Sequence, residues 1–208
     1  MTAPIPPGPP DIERMKVRGD AAGLVALLES ERSWETRLTI LTALAGVNLG
    51  MVGDAARKRT IQSLNAIVRN SGENKTVRWN AIRTLGAVSL RLEQPILLNW
   101  VVEALGSAAK DQSSDMRRAA VESLGNLAAR GAWSDAVRRI PEILILGLRD
   151  SDWAVREQVE RAQVRIGGPA QRSLLAALQI SDLRFRQRVV DLLDRLHWRP
   201  DRSSQAAI

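Results

Sequence analysis

The sequence predicts an all-α solenoid of about five antiparallel helix pairs, and three observations lead there. First, an Arg recurs at a near-constant interval: Arg37, Arg78, Arg117, Arg156 and Arg186 are 41, 39, 39 and 30 residues apart. Second, four positions before each Arg stands a good helix N-cap: Ser33, Asn74, Ser113, Asp152 and Asp182. Third, an apolar stripe follows each Arg at helical spacing. A period near 40 signals supersecondary units too small to bury their own apolar face, which they bury by stacking.

Residues 1–10 contain five prolines and a glycine. They cannot form a helix and have little to bury, so a flexible arm is expected. The repeat domain then spans 11–198, with units at approximately 18–47, 55–90, 95–129, 135–166 and 169–197, and 199–208 forms a flexible tail. In each unit a first helix is marked by apolar pairs and triplets: Leu24/Leu27/Leu28, Ile61/Leu64/Val68, Val101/Leu105/Ala108, Ile143/Leu144/Leu148 and Leu174/Leu175/Leu178. Gly19-Asp20, Gly53-Asp54, Pro95, Ser134-Asp135 and Gly168-Pro169 mark their starts. A short turn and the N-cap follow, because a cap side chain can accept from the orphaned N–H groups of the next helix.

The second helix buries its stripe at three, seven and ten positions after the Arg. Position three holds Ile40, Ala81, Ala120, Val159 and Val189. Position seven holds Leu44, Leu85, Leu124, Gln163 and Leu193; position ten holds Val47, Val88, Leu127, Ile166 and Leu196. Position eight is small in three units: Ala45, Gly86 and Gly125. Gly lowers helix stability, so close approach of a neighbouring helix is expected there.

Composition limits the chemistry. There is no Cys, which excludes disulfides and thiolate metal sites. Aromatics are 3%, nearly all Trp. No basic start leads into an apolar N-terminal run, and no apolar run has the length of a bilayer span, so a cytoplasmic location is the expectation. The formal charge of +7 is local: the stretch 57–91 holds eight basic residues and one acid, Glu73, and the remainder is neutral. That points to one basic patch. Arg57-Lys58-Arg59 lies near a helix start, where the macrodipole disfavours cations by a few tenths of a kcal/mol, so a purpose other than helix stability is expected.

Asp150-Ser-Asp-Trp-Ala-Val-Arg156 resembles the signature turn of HEAT repeats, close to the short bacterial variety also found in bilin-lyase-like proteins. Asp111 to Arg117 repeats its acid–Arg spacing, and Glu31 to Arg37 does so with Trp34 placed as Trp153 is. The resemblance covers roughly residues 18–197. It implies a right-handed α-solenoid of HEAT-like pairs, with acid and Arg linked between neighbours in a hydrogen-bonded ladder. It also implies a turn role for Trp34 and Trp153, and a concave face lined by second helices. Gly72 and Ile180 stand where repeats two and five should carry the acid, so rungs there are not expected.

Candidates for function lie where the repeats disagree. Trp79 occupies a column otherwise holding Leu38, Arg118, Glu157 and Gln187. That mixture reads as partly exposed. With Arg78, Arg83, Arg118 and Arg161 it forms the candidate partner surface. Trp100 and Trp133 are expected to fill gaps beside helices. Helix 156–166 carries Glu160 and Gln163 where its sisters are apolar. Two readings stand for this polar inter-repeat pair: an ion pair with Arg188 or another nearby Arg, which is favoured, or a polar pocket holding a ligand or catalytic carboxylate. His197, the only histidine, stands near Asp194 without the further ligands a metal needs.

No catalytic motif, metal set or cofactor fingerprint is present, so no cofactor is expected. The expected function is a non-catalytic scaffold or adaptor holding a partner protein, with an acidic segment on Arg78, Trp79 and Arg83. The exposed column of Thr42, Arg83, Glu122, Arg161 and Asp191 alternates in sign, which makes nucleic acid the less favoured partner. The alternatives are a nucleic-acid binder resembling HEAT-like DNA glycosylases, and a bilin-lyase-type chaperone or enzyme.

Overall fold

A chain with this periodicity must stack its helices, and it does. The structure is a computed structural model that describes residues 11–131 and 134–197. The expected arm at 1–10, the expected tail at 199–208 and Trp133 lie outside the described residues. Among the described residues all regular structure is helical. Helix α1 (Ile12–Arg18) precedes five pairs: α2 (Ala21–Ser30) with α3 (Trp34–Gly46), α4 (Asp54–Arg69) with α5 (Lys75–Ser89), and α6 (Pro95–Ala108) with α7 (Ser114–Ala129). A broken first helix, α8 (Asp135–Arg138) and α9 (Ile140–Ile145), continues as a 3-10 turn (Leu146–Arg149) and pairs with α10 (Trp153–Ile166). The last pair is α11 (Gly168–Ala177) with α12 (Leu183–Arg195).

The stripe explains the stack. Its positions three and seven are buried in every second helix, including the polar Gln163. Four of the five caps act as expected: Ser33 accepts from Thr36 N, Asn74 from Thr76 N and Val77 N, Asp152 from Ala154 N and Val155 N, and Asp182 from Phe185 N. Ser113 makes no side-chain cap bond. The small-residue column brings second helices into contact. A Cβ added at Gly125 would lie 2.6 Å from Ala162 Cβ, and one at Gly86 would lie 2.6 Å from Ser123 Cβ. At the two ends of the described array, Ile12 and Met15 of α1 pack on the core, and α12 turns Arg184, Gln187 and Asp191 outward. No periodicity predicts α1. It is a single short amphipathic turn pair, capped by Asp11 and ended by Gly19 at φ 68°.

Two features depart from a uniform repeat. Pro141 has no N–H, so the run from Asp135 to Arg149 cannot continue as one helix and breaks into α8, α9 and the 3-10 turn. The other is Arg57, expected as surface charge but 7% exposed. Its Nε donates to Leu49 O at 2.7 Å, and Nη2 donates to Val52 O at 2.6 Å and Gly50 O at 3.2 Å. Nη1 pairs with Asp54 at 2.6 Å. Arg57 thus satisfies the carbonyls of the 3-10 turn Leu49–Met51 that joins repeats one and two. Only a planar five-donor fork spans such a set.

Replacing Arg57 with Ala should therefore lower unfolding stability by about 2–4 kcal/mol. Arg57→Lys should recover little of it, since one ammonium cannot reach three carbonyls. Urea denaturation of the two variants against the parent checks this. Gly125→Ala should also destabilise, by about 1–2 kcal/mol. The crowding against Ala162, a rigid Cβ on a helix, exceeds the roughly 1 kcal/mol gained in helix propensity.

Candidate functional site

The turns between first and second helices carry the ladder, and it runs forward from each Arg to the next repeat. Arg37 Nη1 donates to both Glu73 oxygens at 2.7 Å. Arg78 Nη2 donates to Asp111. Arg117 grips Asp150 with two bonds, from Nε and Nη2, each 2.7 Å. These side chains are nearly buried, so the ion pairs are well shielded from solvent. Each acid also braces its own turn: Asp111 accepts from Ser113 N at 2.8 Å and Asp150 from Asp152 N at 2.9 Å. The expectation for repeat two is corrected here. Gly72 supplies no acid, but Glu73, one residue later, has the extra methylene that lets it reach Arg37 while accepting from Asn74 N at 2.9 Å.

The carboxyl of Asp150 shows how the terms balance. Burial pushes its pKa up. The hydrogen bonds from Arg117 and from Asp152 N, with the guanidinium charge, outweigh that and hold it below the ordinary carboxylate value. Asp152 is also held low, first by a hydrogen bond from the Ser114 side chain, then by backbone N–H groups of α10.

The candidate residues separate. Arg78 belongs to the ladder: its Nε donates to Val68 O at 2.8 Å and its Nη2 to Asp111. Trp79, Arg83 and Arg118 do come together. Trp79 is partly buried against the core, and the Arg83 guanidinium lies over its ring at 4.7 Å, a cation–π stack. Beside it a cleft of about 340 Å³ opens between α5 and α7, lined by Lys75, Thr76, Trp79, Ser113, Asp115, Met116 and Arg118. Arg118 pairs with Asp115 at 3.2 Å within its own helix. Arg161 pairs with Glu157 at 2.7 Å on α10 and stands apart from the cleft. Lys75 is the member that motif reading passed over. It heads α5 where Trp34, Ser114, Trp153 and Leu183 head the other second helices, and that difference was visible in the alignment of repeats.

The polar anomaly of α10 resolves into two contacts. Glu160 pairs with Arg195 at 3.2 Å, not with Arg188, which instead donates to Leu148 O at 2.7 Å. Gln163 is fully buried, and its Nε2 donates to Pro141 O at 2.9 Å. Its amide thus clasps the broken first helix of its own repeat. Trp34 and Trp153 stand directly after the cap, at the first position of α3 and α10, and are 45% and 65% exposed. Trp100 is partly buried against the core, with Lys58 Nζ 5.8 Å from its ring centre.

The basic stretch is consequently dispersed. Arg57 and Arg78 are structural, and Arg59 pairs with Glu29 at 2.5 Å. On the opposite face a groove of about 600 Å³ separates α6 from α9, where Lys110 and Arg139 alternate with Glu103 and Glu142. No group of three or more metal-ligating side chains gathers among the described residues, and none of the described helices is long and apolar enough to cross a membrane.

No family model and no curated protein matches the chain. Solved structures do. An engineered protein aligns over 89% of this chain and 84% of its own at 19% identity, with a TM-score of 0.55. A designed armadillo repeat protein in complex with the peptide (KR)4 aligns over 89% and 85% at 14% identity, with a TM-score of 0.51. The chain is an armadillo/HEAT-like α-solenoid. The CpcE–CpcF complex of phycocyanin lyase from Nostoc sp. aligns over 84% of this solenoid and 98% of its own chain at 21% identity, with a TM-score of 0.48.

Because Asp150 titrates below its unfolded value near 3.8, its contribution is complete above that pH and disappears as pH falls through the lower folded value. Thermal melts from pH 7 to pH 2 should show this loss in the parent. In Asp150→Asn, stability at pH 7 should already be lower and the acid-side decline shallower.

Proposed function

We propose that this solenoid is a protein-interaction scaffold that holds an extended, acidic partner segment across its second helices, centred on the cleft between α5 and α7. The observation that carries this reading is the Trp79–Arg83 stack beside Lys75 and Arg118. It offers an apolar ring and cations at the edge of a cleft that the fold itself does not need. Arg78 and Arg57 build the frame; Arg83 and Lys75 make no ion pair among the described residues. An exposed guanidinium stacked over Trp gives a carboxylate a preorganised partner, with the ring beneath available for apolar contact.

Curvature supports the same face. Gly86 and Gly125 let second helices approach closely, whereas a groove separates the first helices α6 and α9. A stack tighter on one layer bends toward that layer, so the second helices line the concave side. Extended surfaces of this kind are what solenoids use for binding. The designed armadillo protein that shares the fold holds a peptide, which is in keeping with this role. Exposed Glu122 and Asp191 share the column of Arg83 and Arg161, so among the described residues the cations do not form the continuous track that a nucleic-acid backbone favours.

Selection of random peptides displayed against the immobilised protein should enrich sequences rich in Asp and Glu. The folded double variant Arg83→Glu, Arg118→Glu should retain at most about a tenth of that binding, the loss of one or two charge contacts. Equal retention by the variant, or salt-sensitive capture of nucleic acid through the same residues, would overturn the proposal.

A further inference from the structure

The ladder has rungs from repeat one to two, two to three and three to four, and it stops there. Arg156 is set for a fourth. Like Arg117, which donates through Nη1 to the carbonyls of Asp111 and Gln112, Arg156 donates through Nη1 to Asp150 O at 2.7 Å and Ser151 O at 2.9 Å. Arg117 adds the two bonds from Nε and Nη2 to the acid ahead. For Arg156 no such bonds exist among the described residues, because turn five has Ile180 in the acid's register.

Apolar burial continues across this joint, through Ile166, Leu174, Phe185 and Val189, but the polar ties that stand in for the rung are exposed. Glu160–Arg195 and Arg149–Asp182, at 3.2 and 3.5 Å, involve side chains about a third to a half exposed, where ion pairs contribute little. Arg188 donates to Leu148 O, and Arg149 lies 5.9 Å from the Phe185 ring centre. Repeat four also carries Gln163 where its sisters bury Leu, and its amide is spent on Pro141 O of the same repeat. The first helix that should bridge it is broken into α8, α9 and a 3-10 turn. In a solenoid, stability is a sum of repeat terms and nearest-neighbour terms, so one weak interface uncouples what lies beyond it.

We infer that the joint between α10 and the α11–α12 pair is a hinge, at which the C-terminal pair swings and opens as a unit while α2–α10 stay closed. The absent rung is its cause, and the end of the array is not. Repeat one, at the other end of the pairs and covered by α1, is tied forward through Arg37 and Glu73.

Amide hydrogen exchange on the full chain separates the two. Protection in α11–α12 should be lower than in α5–α7 by roughly a hundredfold or more, and lower than in α3 as well. Ile180→Asp should restore the rung to Arg156 and raise protection in α11–α12 by about five- to tenfold over Ile180→Asn, which loses the same apolar contact. The gain should vanish when Arg156→Gln is added. Equal protection at the two ends of the array, or equal exchange in the Asp and Asn variants, would overturn the hinge.

Discussion

A guanidinium reaching from one turn to the carboxylate of the next is the interaction on which this architecture depends. Each Arg is held at its base by its second helix, and Arg117 also grips carbonyls of its own turn. Each acid is held by the N–H groups of the turn it closes. The contact therefore joins two already ordered turns, and little side-chain entropy is lost in making it. Apolar burial supplies most of the stability, as in any globular chain, but it is non-directional. The ladder fixes the register at which one helix pair meets the next.

That division of labour explains where variation is tolerated. The stripe accepts Ala, Val, Ile or Leu, because volume can be redistributed between neighbours. Small residues appear where second helices meet, and the close approach at Gly86 and Gly125 draws one layer tighter than the other. Between the first helices the spacing is looser, and a broken helix can be accommodated once Gln163 holds Pro141 from across the repeat. With register set at the turns, the exposed columns of the second helices can diverge. Trp79, Arg83 and Lys75 are products of that divergence.

The parts legible in the sequence are those written by local physics. Caps at Ser33, Asn74, Asp152 and Asp182, the stripe from Ile40 to Leu193, and the crowded glycines all follow from helical spacing and orphaned N–H groups. The parts that were not legible depend on reach. Glu73 enters the ladder one residue out of register because a longer side chain compensates, which no fixed spacing anticipates. Arg57 reads as surface charge because its acceptors are backbone carbonyls, and carbonyls are invisible in a sequence. Arg78 carries the same letter as Arg83, five residues away, yet one builds the frame and the other faces outward. Of the proposed contact residues, Trp79, Arg83 and Arg118 could be found by comparing repeats. Lys75 could have been, had the first position of each second helix been compared too.

The central claim is that the forward Arg–acid contact is a true coupling between repeats, and a double-mutant cycle on Arg78 and Asp111 tests it most directly. Denaturation of Arg78→Gln, Asp111→Asn, the double variant and the parent should yield a coupling of about 1–2 kcal/mol. The steep loss in either single variant should not deepen much in the double. Additive losses with no coupling would contradict the ladder as the element that sets the register of this solenoid.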